Sequence, residues 1–81
     1  MTTRTARLQA PGDFGLAIQQ ARIARGMTQT ELADEIGVTQ STISAIEAGQ
    51  TTILLTRILE LADSTGISLT ASWEDDGAPR G

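Results

Sequence analysis

Apolar residues recur at helical spacing through most of the chain, most clearly between residues 28 and 46. Two apolar faces lie there, separated by Gly37, a residue that readily adopts the left-handed conformation ending a helix. The first face comprises Leu32, Ala33 and Ile36, and the second comprises Ile43 and Ile46. The pattern predicts two short helices joined by a tight turn.

Capping residues define the starts of both helices. Thr28 and Glu31 have the spacing of a capping box, in which each side chain bonds a free backbone N–H of the first turn. Thr39 provides an N-cap for the second helix. Two such helices, joined by a short turn containing glycine, have the geometry that places the second helix in a DNA major groove. The alternative is an ordinary helical hairpin within a small bundle.

Further helices are predicted on both sides of this pair. A first helix, capped by Asp13, runs to about Arg25, and a fourth runs from Ile53 to about Thr65 and ends at Gly66. The inward residues of the first helix are Phe14, Ile18, Ala21 and Ala17. The apolar stripe of the fourth is Leu55, Ile58, Leu59 and Ala62. Leu54 and Leu61 widen that stripe beyond the needs of one small core, which indicates a partner surface.

Residues 67–73 alternate strictly between apolar and polar, which predicts a strand with one buried face. No second strand is evident in the sequence, and a lone strand leaves its backbone groups unpaired. We therefore expect pairing with the same strand of a second copy around a two-fold axis. The alternative is an extended tail packed on its own domain. The predicted dimer interface comprises Leu54, Leu61, Ile67, Leu69, Ala71 and Trp73.

The two ends of the chain lack apolar periodicity. Residues 1–12 are predicted to form a flexible arm, although Arg4 and Arg7 could instead reach into a DNA groove. Residues 74–81 are predicted to form a disordered acidic tail. The expected organisation is therefore an arm (1–12), a helix-turn-helix domain (13–66), a dimerisation strand (67–73) and the tail (74–81).

Composition narrows the possible functions. The 81 residues allow one domain, and the absence of cysteine and histidine argues against a metal site, a cofactor or an enzyme. No apolar run approaches 18 residues, so we expect a cytoplasmic protein without a membrane partner. The net charge of −4 divides into +3 for residues 1–29 and −7 for residues 30–81. Since lysine is absent, phosphate contacts would depend on arginines, hydroxyls, amides and helix N-termini.

Several side chains at the predicted turn suit contact with DNA. Gln29 can bind a phosphate at a helix N-terminus, and Gln40 can bond adenine N6 and N7. Ser41 suits several bases, and Ala45 suits a thymine methyl group. Hydroxyl and amide groups that suit phosphates or base edges are those of Thr39, Thr42, Ser44, Gln50 and Thr51.

An ordered set of residues resembles the helix-turn-helix of phage-repressor-like (Cro/C1-type, XRE) regulators. The set is Arg22, Thr28-Gln29, Leu32-Ala33, Gly37-Val38, Thr42-Ile43-Ser44 and Glu47-Ala48-Gly49. The resemblance implies an all-α, lambda-repressor-like DNA-binding domain of four to five helices, with a C-terminal β-strand that pairs across a homodimer. It implies DNA contacts at Gln29, Gln40, Ser41 and Ala45. It also implies a structural pair between Arg22 and Glu47.

The strand ending at Trp73 resembles the HipB-like antitoxin branch of that family. This resemblance implies a homodimer that represses its own promoter at an inverted-repeat operator and holds a HipA-like serine/threonine kinase toxin. The acidic C-terminal half, including Glu60, Asp63 and the tail, would be the candidate toxin-facing surface. The alternatives are a stand-alone dimeric repressor without a toxin partner and a protein-interaction domain that has lost DNA binding.

Overall fold

The computed structural model describes residues 2–75 and contains four helices and two strands in that range. The elements are β1 (Thr2–Arg7), α1 (Pro11–Ala24), α2 (Gln29–Ile36), α3 (Gln40–Glu47), α4 (Ile53–Thr65) and β2 (Thr70–Asp75). The four predicted helices are confirmed. The all-α class is corrected to four helices with a two-stranded antiparallel sheet.

The helix α1 begins three residues earlier than predicted, because its N-cap is Ala10 rather than Asp13. Pro11 takes the first helical position, where its missing N–H costs nothing and its fixed φ suits the helix. Asp13 is therefore not the N-cap but the third helical residue. Its carboxylate accepts hydrogen bonds from the backbone N–H groups of Gln9 (2.8 Å) and Ala10 (3.0 Å). The carboxylate still satisfies free donors at the helix start, although from inside the helix.

The strand β1 pairs antiparallel with β2 of the same chain, from Thr2 opposite Asp75 to Arg7 opposite Thr70. The expectation that no second strand exists was therefore wrong, and so was the flexible arm over residues 2–7. The β1 sequence TTRTAR contains β-branched threonines, which favour strands, but no large apolar residue. Hydrophobic periodicity could not detect it, because both of its faces are largely exposed.

The pairing also shifts the second strand along the chain. β2 starts at Thr70 rather than at residue 67, and it continues through two residues assigned to the acidic tail. Thr3 Oγ1 donates to Glu74 Oε1 at 2.8 Å, and Arg4 Nε lies 3.5 Å from the Asp75 carboxylate. These side-chain contacts accompany the backbone pairing with β1, which extends the strand. The rest of the predicted tail, 76–81, lies outside the described residues.

The buried core is small for the number of residues. The described part of the chain is a slab of 43 × 30 × 17 Å, and none of its large side chains is completely buried. The buried apolar residues are Ala17, Ala24, Ala33, Ile43, Leu59 and Ala62. Four isoleucines on predicted apolar helix faces are instead exposed, at 36% for Ile18, 38% for Ile46, 47% for Ile58 and 59% for Ile36. Alanine contributes little apolar area, so much of the larger apolar surface remains uncovered.

The α1 and α3 helices approach closely where α1 carries a glycine. A Cβ built on Gly15 would overlap the Ile46 carbonyl oxygen and lie 2.9 Å from the Glu47 carbonyl oxygen. The C-terminal end of α3 therefore rests against the backbone of α1. This contact, together with the turn between α2 and α3, determines where α3 lies.

Candidate nucleic-acid interface

The α2 and α3 helices are joined by a three-residue turn that begins with a glycine in the left-handed backbone conformation. Gly37 has φ of 78°, and the N–H groups of Gly37 and Val38 both donate to the Ala33 carbonyl, at 2.9 and 3.0 Å. This arrangement satisfies the Ala33 carbonyl in the last turn of α2. Thr39 then caps α3, accepting the Thr42 N–H at 3.2 Å. The predicted turn and both predicted caps are confirmed.

The capping box at the start of α2 is complete. Glu31 N–H donates to Thr28 Oγ1 at 3.0 Å, and Thr28 N–H donates to Glu31 Oε1 at 2.8 Å. Because these bonds fix the first turn of α2, the next residue, Gln29, has a defined position. Gln29 is half-buried and faces α3.

The N-terminal half of α3 presents polar side chains to solvent. Gln40, Ser41, Thr42 and Ser44 are exposed, as the sequence predicted, whereas Ala45 is half-buried. Ala45 lines an apolar groove that also includes Phe14 and Leu55. The Thr39 hydroxyl lies 3.0 Å from that of Ser41 and 2.9 Å from that of Thr42, so it is hydrogen-bonded to both.

A continuous chain of side-chain hydrogen bonds connects the exposed start of α3 to a buried ion pair. Gln40 Nε2 donates to Gln29 Oε1 at 2.6 Å, and Gln29 Nε2 donates to Glu47 Oε1 at 3.1 Å. Arg22 then donates to both Glu47 oxygens, at 2.7 and 3.0 Å, and to the Met27 carbonyl at 2.8 Å. The chain therefore joins α1, α2 and both ends of α3.

The direction of these bonds determines which donor and acceptor atoms of the exposed Gln40 amide remain available. Since the Glu47 carboxylate can only accept hydrogen bonds, the amide nitrogen of Gln29 must face it. The Gln29 oxygen is then left to accept from Gln40. Gln40 consequently keeps its own oxygen and its second amide hydrogen for a ligand.

The buried pair is tightly coupled. The side chains of Arg22 and Glu47 are 7% and 2% exposed. The hydrogen bond from Arg22 lowers the pKa of Glu47, with a further lowering by Gln29, against the opposing effect of burial. The hydrogen bond to Glu47 likewise raises the pKa of Arg22. Both groups are therefore charged at neutral pH.

The loop after α3 carries the remaining candidate DNA contacts. Gln50 and Thr51 are exposed, and the Thr51 hydroxyl donates to the Thr52 carbonyl at 3.2 Å. The Gln50 backbone N–H donates to the Ala45 carbonyl at 3.0 Å. The loop is thus anchored to α3, while both side chains remain at the surface.

Arginines are sparse near the N-terminal end of α3. Arg22 is buried in its ion pair, and Arg57 pairs with Glu60 on α4 at 2.9 Å. Arg7 lies in β1, whereas Arg25 follows the end of α1 and lines a surface pocket with Glu35. The N-terminal half of α3 therefore exposes amides and hydroxyls without a nearby cation among the described residues, whereas the exposed side chains of α2 include acidic ones.

The predicted dimer residues fall into two groups. Leu54, Leu61 and Ile67 are 67%, 64% and 58% exposed. Leu69, Ala71 and Trp73 are half-buried, and the last two lie on the sheet face directed towards α1. A large apolar surface thus remains uncovered in a single chain.

Sequence reasoning missed two features of this site, the linking position of Gln29 and the contact at Gly15. The first had no local signal, because Gln29 and Gln40 are eleven residues apart on different helices. The second had one. A glycine within a helix lowers helix stability and often marks a close approach.

Comparison with known proteins agrees with this geometry. Residues 18–71 match the family model described as helix-turn-helix. The chain belongs to the helix-turn-helix family. It is 30% identical to the antitoxin HipB of Escherichia coli K12 over 73 residues, which are 90% of this chain and 83% of that protein. It is also 30% identical to antitoxin HipB of E. coli O6:H1 strain CFT073, covering 78% of that protein.

No solved structure matches the chain. Among the described residues, none of the helices combines the length and apolar character needed to cross a membrane. Family membership supports a DNA-binding antitoxin or regulator.

Proposed function

We propose that this helix-turn-helix protein is a homodimeric, sequence-specific repressor that acts in the cytoplasm. It binds an inverted-repeat operator in its own promoter and neutralises a HipA-like kinase toxin. In this proposal the N-terminal half of α3 enters the major groove. The main support is the placement of Gln40, which is exposed at the start of α3 and is oriented by Gln29.

The free donor and acceptor atoms of Gln40 match those of one base best. Adenine presents an N6 amino donor and an N7 acceptor in the major groove. Gln40 has an amide oxygen and one amide hydrogen left after bonding Gln29. This pair complements adenine, so we propose that Gln40 reads adenine and that Ser41, Thr42 and Ser44 contact neighbouring bases or phosphates.

Footprinting on the promoter upstream of the gene tests operator binding, and paired substitutions test the role of Gln40. Gln40→Ala should cost about 1–3 kcal/mol on the protected site and far less on unrelated DNA. Gln20→Ala is the matched control, because Gln20 is also an exposed helical glutamine but lies on α1. Equal losses on both DNAs would contradict base reading by Gln40.

Dimerisation is supported by the uncovered apolar surface and by the small core. In the described residues, β2 bonds only β1, so one of its edges remains available. Antiparallel pairing of two β2 strands would give a sheet in the order β1-β2-β2-β1. Burial of Leu54, Leu61 and Ile67 would supplement a core made largely of alanine. A symmetric dimer predicts half-sites centred about 10 base pairs, or a multiple, apart.

The toxin partner is proposed from the relatives, which are named antitoxins. Residues 30–81 carry a net charge of −7, so a basic surface on the toxin is the expected complement. Co-expression with the neighbouring gene product should yield a complex on purification. Purification of the chain alone, with no kinase gene adjacent, would favour a stand-alone repressor.

A protein-interaction domain without DNA binding is the second candidate, favoured by the net charge of −4 and the absence of lysine. A salt titration separates the two functions. If phosphates are contacted, the logarithm of the affinity for promoter DNA falls linearly with the logarithm of the salt concentration. An absence of measurable binding at low salt would support the interaction domain.

A further inference from the structure

Gly15 is the residue at which α1 and α3 come into backbone contact. A Cβ at this position would overlap the Ile46 carbonyl oxygen and lie 2.9 Å from the Glu47 carbonyl oxygen. Any residue with a side chain would therefore force the two helices apart. Because both obstructing atoms are backbone oxygens, no change of rotamer could relieve the overlap.

Glu47 is held at two points along the same face of α1. Its carbonyl lies against Gly15, and its carboxylate is bonded by Arg22, seven residues or two helical turns further on. From Glu47 the hydrogen-bond chain continues through Gln29 to Gln40. The position of α3 relative to α1 therefore determines whether Gln29 can reach both of its partners.

The middle bond of this chain is the most sensitive to a shift of α3. Gln29 Nε2 and Glu47 Oε1 are already 3.1 Å apart, close to the upper limit of ordinary N–H···O bonds. Movement of the C-terminal end of α3 away from α1 would lengthen this bond. Gln29 would then lose the interaction that fixes its amide orientation, and Gln40 would lose its aligned acceptor.

We propose that Gly15 is a positioning residue that determines DNA sequence specificity. The backbone contact that it permits places α3 at the distance where Gln29 aligns Gln40. Gly15 acts through Glu47 and Gln29 rather than by contact with DNA. This inference rests on the proposed function, since it concerns how the same interface selects its operator.

The test compares Gly15→Ala with Gly12→Ala. Both glycines lie in α1, one turn apart, but a Cβ on Gly12 would meet nothing within 4 Å. The two variants therefore share the same chemical change and differ in the contact with α3. Binding is measured to a duplex that the wild-type protein selects from a random pool, and to a scrambled duplex of equal length.

Gly15→Ala should lower affinity for the selected duplex by about tenfold or more and change affinity for the scrambled duplex by less than about threefold. Gly12→Ala should leave both affinities within about twofold of the wild type. In a Gln40→Ala background, Gly15→Ala should lower the affinity for the selected duplex by less than about a further twofold, because both substitutions remove the same aligned contact. In the free protein, the side-chain amide resonances of Gln29 and Gln40 should shift in Gly15→Ala only.

Several results would overturn the assignment of Gly15. One is that Gly15→Ala binds the selected duplex with an affinity within twofold of the wild type. Another is that it loses equal affinity for both duplexes. A third is that its loss of affinity adds in full to that of Gln40→Ala. Loss of the helical circular dichroism signal in Gly15→Ala would make it a folding residue and would overturn the assignment as well. A wild-type protein that selects no duplex would instead refute the proposed function, which keeps the two failures distinguishable.

Discussion

Gln40 and Gln29 are joined amide to amide, with the Gln40 nitrogen 2.6 Å from the Gln29 oxygen. Gln40 opens the helix proposed to enter the major groove, whereas Gln29 opens the preceding helix. The bond prevents the Gln40 amide from rotating freely, which reduces the entropy lost when it binds a base. A residue beside the recognition helix thus helps to define what that helix can read.

Substitution of Gln29 should weaken operator binding even where Gln40 is intact. We expect Gln29→Ala to cost about 1–2 kcal/mol on the operator, since Gln40 loses its aligning acceptor. Gln29→Glu should cost more, because a second carboxylate would then face Glu47 and could not donate to it. Electrophoretic mobility shifts with Gln20→Ala as the control provide the measurement. Wild-type affinity in Gln29→Glu would contradict the alignment.

The buried pair predicts a loss of stability in acid. The pKa of Glu47 is lowered in the folded state. The ionised Glu47 carboxylate therefore makes its full contribution to the free energy of unfolding above the ordinary glutamate pKa of about 4.3. As the pH falls below that value, the unfolded chain takes up the proton first, so stability is lost until the folded pKa is passed. The raised pKa of Arg22 keeps that residue charged throughout.

Urea unfolding between about pH 3 and pH 6 measures this effect, and Glu47→Gln should flatten the curve. Glu60→Gln is the control, because the pair between Arg57 and Glu60 is exposed at 63% and 56%. Exposed pairs typically contribute less than about 1 kcal/mol. An identical pH dependence in wild type and Glu47→Gln would show that Glu47 is not responsible.

Replacement of the whole pair should separate stability from recognition. Arg22→Met or Glu47→Leu alone should cost about 3–5 kcal/mol, since each leaves an unpaired buried charge. The two together should recover most of that loss, as apolar side chains can substitute for a buried ion pair. Operator affinity should stay low, because Gln29 would have no acceptor. Recovery of both properties would show that the pair serves only stability.

A charge on the exposed apolar face of α4 should disrupt the proposed dimer. Leu61 is 64% exposed, so Leu61→Glu should have little effect on a monomer but should weaken self-association by about tenfold or more. Ile36→Glu is the control, since Ile36 is 59% exposed and lies at the end of α2. Sedimentation equilibrium distinguishes these outcomes. A monomeric wild-type protein at micromolar concentration would exclude the dimer.

The helices could be predicted because their determinants are local. The helix boundaries depend on capping residues that act within one turn of their own position. The structure confirms each of these caps, which are Thr28, Glu31, Gly37, Thr39 and Gly66. A helix satisfies most of its backbone groups four residues away, so a short window of sequence contains most of the information. For this reason the sequence alone predicts the helix-turn-helix.

Tertiary structure decided the features that depend on residues distant in the chain. The strand β1 obtains its hydrogen bonds from β2, with Thr3 paired opposite Glu74, and its own sequence contains no apolar alternation. The chain from Gln40 to Arg22 and the contact at Gly15 likewise depend on how three helices pack. Sequence periodicity reports which residues share a face, whereas packing decides which faces meet and which side chains remain exposed.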